Sequence, residues 1–119
     1  MDRNELQNRT KQFHIRVIRI CDLLPKTTAG FETAKQLIRS AGSVGANYRA
    51  TKRAKSTNDF LNKLKIIIEE ADESLYWLEI IRDAPLLQSE ELNKLIQEAD
   101  ELTSIFVASH KTVSSNKEK

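Results

Sequence analysis

Helix breakers are scarce in this chain, and where they fall decides what it can become. Its 119 residues contain two prolines, Pro25 and Pro85, and three glycines, Gly30, Gly42 and Gly45. Proline lacks a backbone donor and clashes with the turn before it, so each proline ends a helix. Between them, Ser56-Thr57-Asn58-Asp59 reads as a start signal, a serine N-cap answered by an acid three residues on. The chain is thereby cut into four long stretches. In each, apolar residues recur every three or four positions, the period of a helix with one buried face. The spacing predicts helices over Asn4–Leu24, from Gly30 or Phe31 to about Lys55, over Thr57–Asp83, and from Ser89-Glu90-Glu91 to about His110. Short connections force neighbours antiparallel, giving an all-α, up-down-up-down four-helix bundle. Residues 1–111 form this single domain, and 112–119 are expected to be a disordered polar tail.

The core faces follow from the same spacing. Helix 1 offers Leu6, Phe13, Val17, Ile20 and Leu24, with Cys21 near that face as a buried small hydrophobe. Helix 2 offers Ala34, Leu37, Ile38, Ala41, Val44, Gly45 and Tyr48. Helix 3 offers Phe60, Leu64, Ile67, Ala71, Leu75 and Leu78. Helix 4 offers Leu92, Leu95, Ile96, Ala99, Leu102, Thr103 and Phe106. Helix 3 is apolar on a second side as well. Ile66, Trp77 and Ile80 share an arc roughly opposite the core, among Glu69, Glu70 and Glu73. A helix apolar on two sides buries both, and that arc has no intrachain partner, so Ile66, Trp77 and Ile80 are assigned to a homo-oligomer interface.

Helix 2 carries the densest information. Gly42 and Gly45 lie inside it at a cost of roughly 1 kcal/mol each against alanine, which close approach of another backbone would offset. Beside this small-residue stripe lie Lys35, Arg39, Arg49, Lys52 and Arg53, and helix 1 adds Arg9, Arg16 and Arg19. The net charge of +2 conceals a division. Residues 1–65 hold 14 basic and 5 acidic side chains, whereas residues 66–119 hold 5 basic and 12 acidic. Two interpretations are open. The basic half is a surface for nucleic acid, or basic and acidic helices neutralise each other, with Arg39 and Arg49 paired to Glu69, Glu70 or Glu73.

Several classes of chemistry find little footing. No apolar run approaches the ~20 residues that span a bilayer, and the polar N-terminus lacks a secretory pattern. A lone cysteine excludes an intrachain disulfide and a cysteine metal cluster. These features predict a cytoplasmic protein. His14 and His110, on different helices, are assigned solvated or capping roles. The acids Glu69-Glu70-Ala71-Asp72-Glu73 and Glu98-Ala99-Asp100-Glu101 partly match the pattern of a magnesium-dependent all-α nucleoside triphosphate pyrophosphohydrolase, failing at Glu101, where that pattern has Asp. A solvated acidic face with i,i+4 pairs to lysine is the better explanation of them. No catalytic, metal or cofactor residue is assigned.

Over about Phe13–Phe106 the chain resembles the bacterial four-helix-bundle proteins first found in intervening sequences of 23S rRNA genes. Arg39-Ser40-Ala41, Ser43-Val44-Gly45-Ala46-Asn47, Phe60 and Glu70-Ala71-Asp72-Glu73-Ser74 carry the likeness. More distantly it is similar to the accessory variability proteins of diversity-generating retroelements. The resemblance implies a single four-helix bundle, assembled as a ring-like homopentamer. For the distant group it implies a basic surface, nucleic-acid binding and association with a reverse transcriptase. Arg9, Arg16, Arg19, Lys35, Arg39, Arg49, Lys52 and Arg53 are then the candidate RNA- or DNA-binding residues. An adaptor docking a partner protein through the acidic half is the other expectation.

Overall fold

The computed structural model describes residues 1–118. Four helices run in chain order: α1 over Arg3–Cys21, α2 over Thr28–Ala50, α3 over Thr57–Asp83 and α4 over Glu90–Glu118. A 3-10 turn, Thr51–Arg53, closes α2. Neighbours in sequence are neighbours in space, and α1 closes the bundle against α4. The bundle measures 51 × 21 × 21 Å. No helix among the described residues is long and apolar enough to cross a membrane.

Each helix begins where a side chain can satisfy its orphan backbone donors. Asp2 accepts from the Glu5 N–H at 2.8 Å. Thr27 accepts from the Gly30 N–H at 3.1 Å, which starts α2 ahead of the predicted position. Ser56 accepts from the Asp59 N–H at 3.0 Å, and Asp59 in turn accepts from the Lys55 N–H at 2.9 Å. Ser89 accepts from the Leu92 N–H at 3.0 Å. The α1 helix stops at Cys21 instead of Leu24. Pro25 lies a few residues ahead, and the residues before it turn with 3-10 bonds from Leu23 to Ile20 and from Leu24 to Cys21.

The core contains Phe13, Val17, Leu37, Val44, Leu64, Ile67, Leu95, Leu102 and Phe106, each almost wholly buried. Burying one such side chain is worth roughly 1.5–3 kcal/mol. Leu61, Ser74 and Ile81 join the buried face of α3, while Phe60 and Leu75 are half-buried at its edge. The α3 helix packs against both α2 and α4, so its buried arc is broader than a single stripe.

Two expectations need correction. The segment 112–118, predicted as a disordered tail, continues α4. It has no proline or glycine to stop it, and Lys117 Nζ donates to Asn58 Oδ1 at the start of α3. Lys119, the last residue of that predicted tail, lies outside the described residues. His110 is therefore not a helix end. It is half-buried within α4, and its Nε2 is buried with no hydrogen-bond partner.

Candidate functional site

Opposite charges in the bundle meet in pairs along the seams between helices. On α1, Arg9 makes a bidentate contact to Glu98 of α4, at 2.7 Å from Nε and 2.6 Å from Nη2. It also reaches Glu101 at 3.5 Å. Two turns along, Arg16 grips Glu91 in the same way, at 2.9 and 3.0 Å. On α2, Arg39 holds Glu70 at 2.8 Å and Glu73 at 2.5 Å across the seam to α3. These guanidinium groups hold Glu73 and Glu91 below the usual carboxylate range. Of the eight basic candidates, Arg9, Arg16 and Arg39 are thus engaged within the chain.

Arg19, Lys35, Arg49, Lys52 and Arg53 make no ion pair among the described residues. All five are exposed. Arg49 does not reach the acids of α3. Arg9 and Arg16 fit the neutralised-bundle expectation, and so does Arg39, but the outward cations of α2 do not. The acids of the suspected pyrophosphohydrolase pattern are drawn into the same seams: Glu70 and Glu73 face Arg39, and Glu98 and Glu101 face Arg9. Among the described residues, no three His, Cys, Asp or Glu side chains are grouped to hold a metal ion.

The signature segment explains itself largely through packing. Arg39, Ser40 and Ala41 face Glu70, Ala71, Glu73 and Ser74 across the α2–α3 seam. Ser74 Oγ donates to Ser40 Oγ at 2.9 Å, and Ser40 Oγ donates to the Leu37 carbonyl at 3.2 Å. Both serines are wholly buried, as are Ala41 and Ala71. Small side chains let the backbones approach, and the hydroxyl pair satisfies itself inside an apolar layer.

The other side of the small-residue stripe is open. A groove of about 580 Å³ runs between α1 and α2. From α1 it is lined by Gln7, Lys11 and His14; from α2, by Gly42, Gly45, Ala46 and Arg49. None of these is a carboxylate. Lys11 and Arg49 are exposed, and His14 is half-buried with its ring over Gly42. A methyl group on Gly42 would meet His14 Cε1 and Nε2 at 3.0 Å, whereas one on Gly45 would lie 3.5 Å from the Thr10 carbonyl oxygen, an ordinary contact. The α1 backbone therefore approaches Gly45 without excluding a side chain there. The Gln7 Oε1 atom is buried with no donor. Lys11 and His14 are not among the sequence-derived candidates. Their i, i+3 spacing is a weak signal until α2 supplies the opposite wall.

The assigned interface arc is only partly free. Trp77 is not opposite the core. Its ring packs against the core cluster from the flank, its Nε1–H donates to Glu73 at 3.1 Å, and Tyr76 meets it edge-on at 5.1 Å. Ile80 is half-buried. Ile66 and Tyr76 are 45% and 53% exposed, so the outward apolar surface of α3 centres on them. Cys21 is buried, and burial pushes its thiol up to about 11.

Residues 2–108 match the model of a family described as 23S rRNA-intervening sequence protein. No curated protein matches the chain. Among solved structures, the chain is similar to a protein of unknown function from the S23 ribosomal protein family of Bacteroides thetaiotaomicron VPI-5482. The two are 30% identical, with a TM-score of 0.83, over 93% of this chain and 99% of that one.

Proposed function

The chain belongs to the 23S rRNA-intervening sequence protein family, and on that premise we propose a non-enzymatic, ring-forming homo-oligomer that binds nucleic acid on its α1/α2 side. The observation that carries this reading is the segregation of charge. Arg9 and Arg16, facing α4, and Arg39, facing α3, are cancelled by carboxylates, whereas Lys11, Arg49, Lys52 and Arg53 are left unpaired among the described residues. Unpaired guanidinium and ammonium groups neutralise phosphates and release counterions whatever the base sequence. Apart from His14, no aromatic ring lines the groove, so the contacts are to backbone, not stacked bases. The closed ring, of five copies as the resemblance implies, repeats the surface and multiplies its contacts. Ile66 and Ile80, with Tyr76 beside them, supply the apolar contact between copies, and Trp77 buttresses it from behind. A cytoplasmic setting belongs to the same reading.

The test is binding of a labelled RNA and a DNA duplex across a salt series. Affinity should fall steeply with salt and be lost in an Arg49→Glu, Arg53→Glu variant. A multimer that binds neither would favour the protein-docking adaptor.

A further inference from the structure

We propose that the α1/α2 groove is a seat for the phosphodiester backbone of a single nucleic-acid strand, with Lys11, His14 and Arg49 as its phosphate-facing residues. This rests on the nucleic-acid reading above and narrows it to one site and one form of ligand. The lining carries three nitrogen-bearing basic side chains and no carboxylate. Arg9, Arg16 and Arg39, in the seams to α4 and α3, are matched by acids, and here none is. Lys11, His14 and Arg49 make no side-chain hydrogen bond or ion pair among the described residues.

The shape selects the form of the ligand. Gln7 to His14 on one wall and Gly42 to Arg49 on the other each span about 10 Å of helix rise, longer than one phosphate group. Ala46 is exposed on the floor, flanked by Gly42 under the His14 ring and Gly45 against the Thr10 carbonyl. A chain of phosphates can lie along the Ala46 methyl between Lys11 and Arg49. A duplex is a broad convex cylinder that would rest on the rim and leave the floor empty. Base stacking is confined to His14, the one aromatic ring in the lining, and that ring lies over Gly42.

Ala46 supplies a test that changes no charge. It lines the groove and sits within α2, where leucine is nearly as good a helix former as alanine. Ala46→Leu fills the groove and leaves every cation in place. Binding of labelled oligo-dT, oligo-U and a mixed-sequence duplex would be followed by anisotropy for the wild type, Ala46→Leu and Lys11→Gln/Arg49→Gln. Thermal melting and light scattering serve as controls on the same samples. Ala46→Leu should weaken single-strand binding about tenfold with the duplex within about twofold. The double variant should flatten the salt slope for single strands by about 1.4, roughly 0.7 for each phosphate left without its cation. Unchanged single-strand binding in Ala46→Leu, with weakened binding in Arg49→Glu/Arg53→Glu, overturns the groove and leaves the basic surface standing. A drop in solution mass in Ala46→Leu makes the groove an interface between copies and also overturns it. Binding of no nucleic acid by the wild type removes both readings together.

Discussion

Alanine substitution at the three glycines separates what the fold requires from what it tolerates. In Gly45→Ala the new methyl lies 3.5 Å from the Thr10 carbonyl oxygen, within ordinary contact. The helix gains about 1 kcal/mol from propensity and from a less flexible unfolded chain. For a domain of this size that raises Tm by about 3–6 °C. Gly42→Ala gains the same propensity but presses on the His14 ring at 3.0 Å. The ring borders an open groove and can shift, so the net gain lies between zero and about 1 kcal/mol. Gly30→Ala has the opposite sign. Its methyl would fall 1.9 Å from the Pro25 carbonyl oxygen, a backbone atom tied to the loop that joins α1 and α2. Relieving that overlap moves the loop and strains the Thr27 cap, at a cost of about 2–3 kcal/mol, the upper range for overpacking. Thermal and urea melts of the three variants read these values directly. A destabilised Gly45→Ala would refute the geometry of the α1–α2 approach, and a neutral Gly30→Ala would refute the closeness of that loop.

Four further outcomes follow from the same structure. Arg9→Gln should reduce nucleic-acid affinity far less than Arg49→Gln, as measured by anisotropy, because Arg9 is already engaged by Glu98; equal losses would contradict the segregation of charge. Glu73 is held low chiefly by its hydrogen bond from Arg39, so its contribution is present above the ordinary glutamate value of about 4.3 and is lost as pH falls through the lowered one. Urea midpoints at pH 7 and pH 3.5 should therefore differ more for the wild type than for Arg39→Gln, and equal differences would dismiss the pair as an energetic contributor. Ile66→Glu, on a position exposed in the single chain, should lower the solution mass while the chain still unfolds cooperatively, and an unchanged mass would remove α3 from the interface. Cys21, a buried neutral thiol at pH 8, should react with a disulfide reagent only after denaturation.

The four helices are legible because their signals are local. Ser56, Asp59 and Pro85 mark α3 at both ends, and its predicted bounds of Thr57 and Asp83 match the observed ones. Thr27 is overshadowed as the α2 cap by Gly30, which in sequence is the stronger mark. The 3-10 turn at Thr51–Arg53 shares its residue types with a continuing helix, and only the geometry before Ala54 separates them. The charge pairing is harder to read. A helical wheel places Arg39 and Arg49 on neighbouring arcs, yet one meets two carboxylates and the other none, because pairing depends on axial level between helices. Trp77 is misplaced for a related reason: a wheel assumes one packing partner, and α3 has two. The groove belongs to two helices jointly, so no single stretch of sequence displays it.

The buried Ser40–Ser74 hydroxyl pair has a mechanical consequence. Moving α2 along α3 by one helical turn, about 5.4 Å, would break the Ser40–Ser74 contact and part Arg39 from Glu70 and Glu73, while each hydroxyl keeps a carbonyl of its own helix, so the pair and the arginine together mark the register of the seam. The α1 helix is fastened differently. Its Phe13, Val17 and Ile20 are buried in the core, and Arg9 and Arg16 clasp Glu98 and Glu91 of α4 along the rim. The two seams are therefore fixed by different means: α2–α3 by a buried polar register, and α1 by its apolar face with ion pairs at the rim.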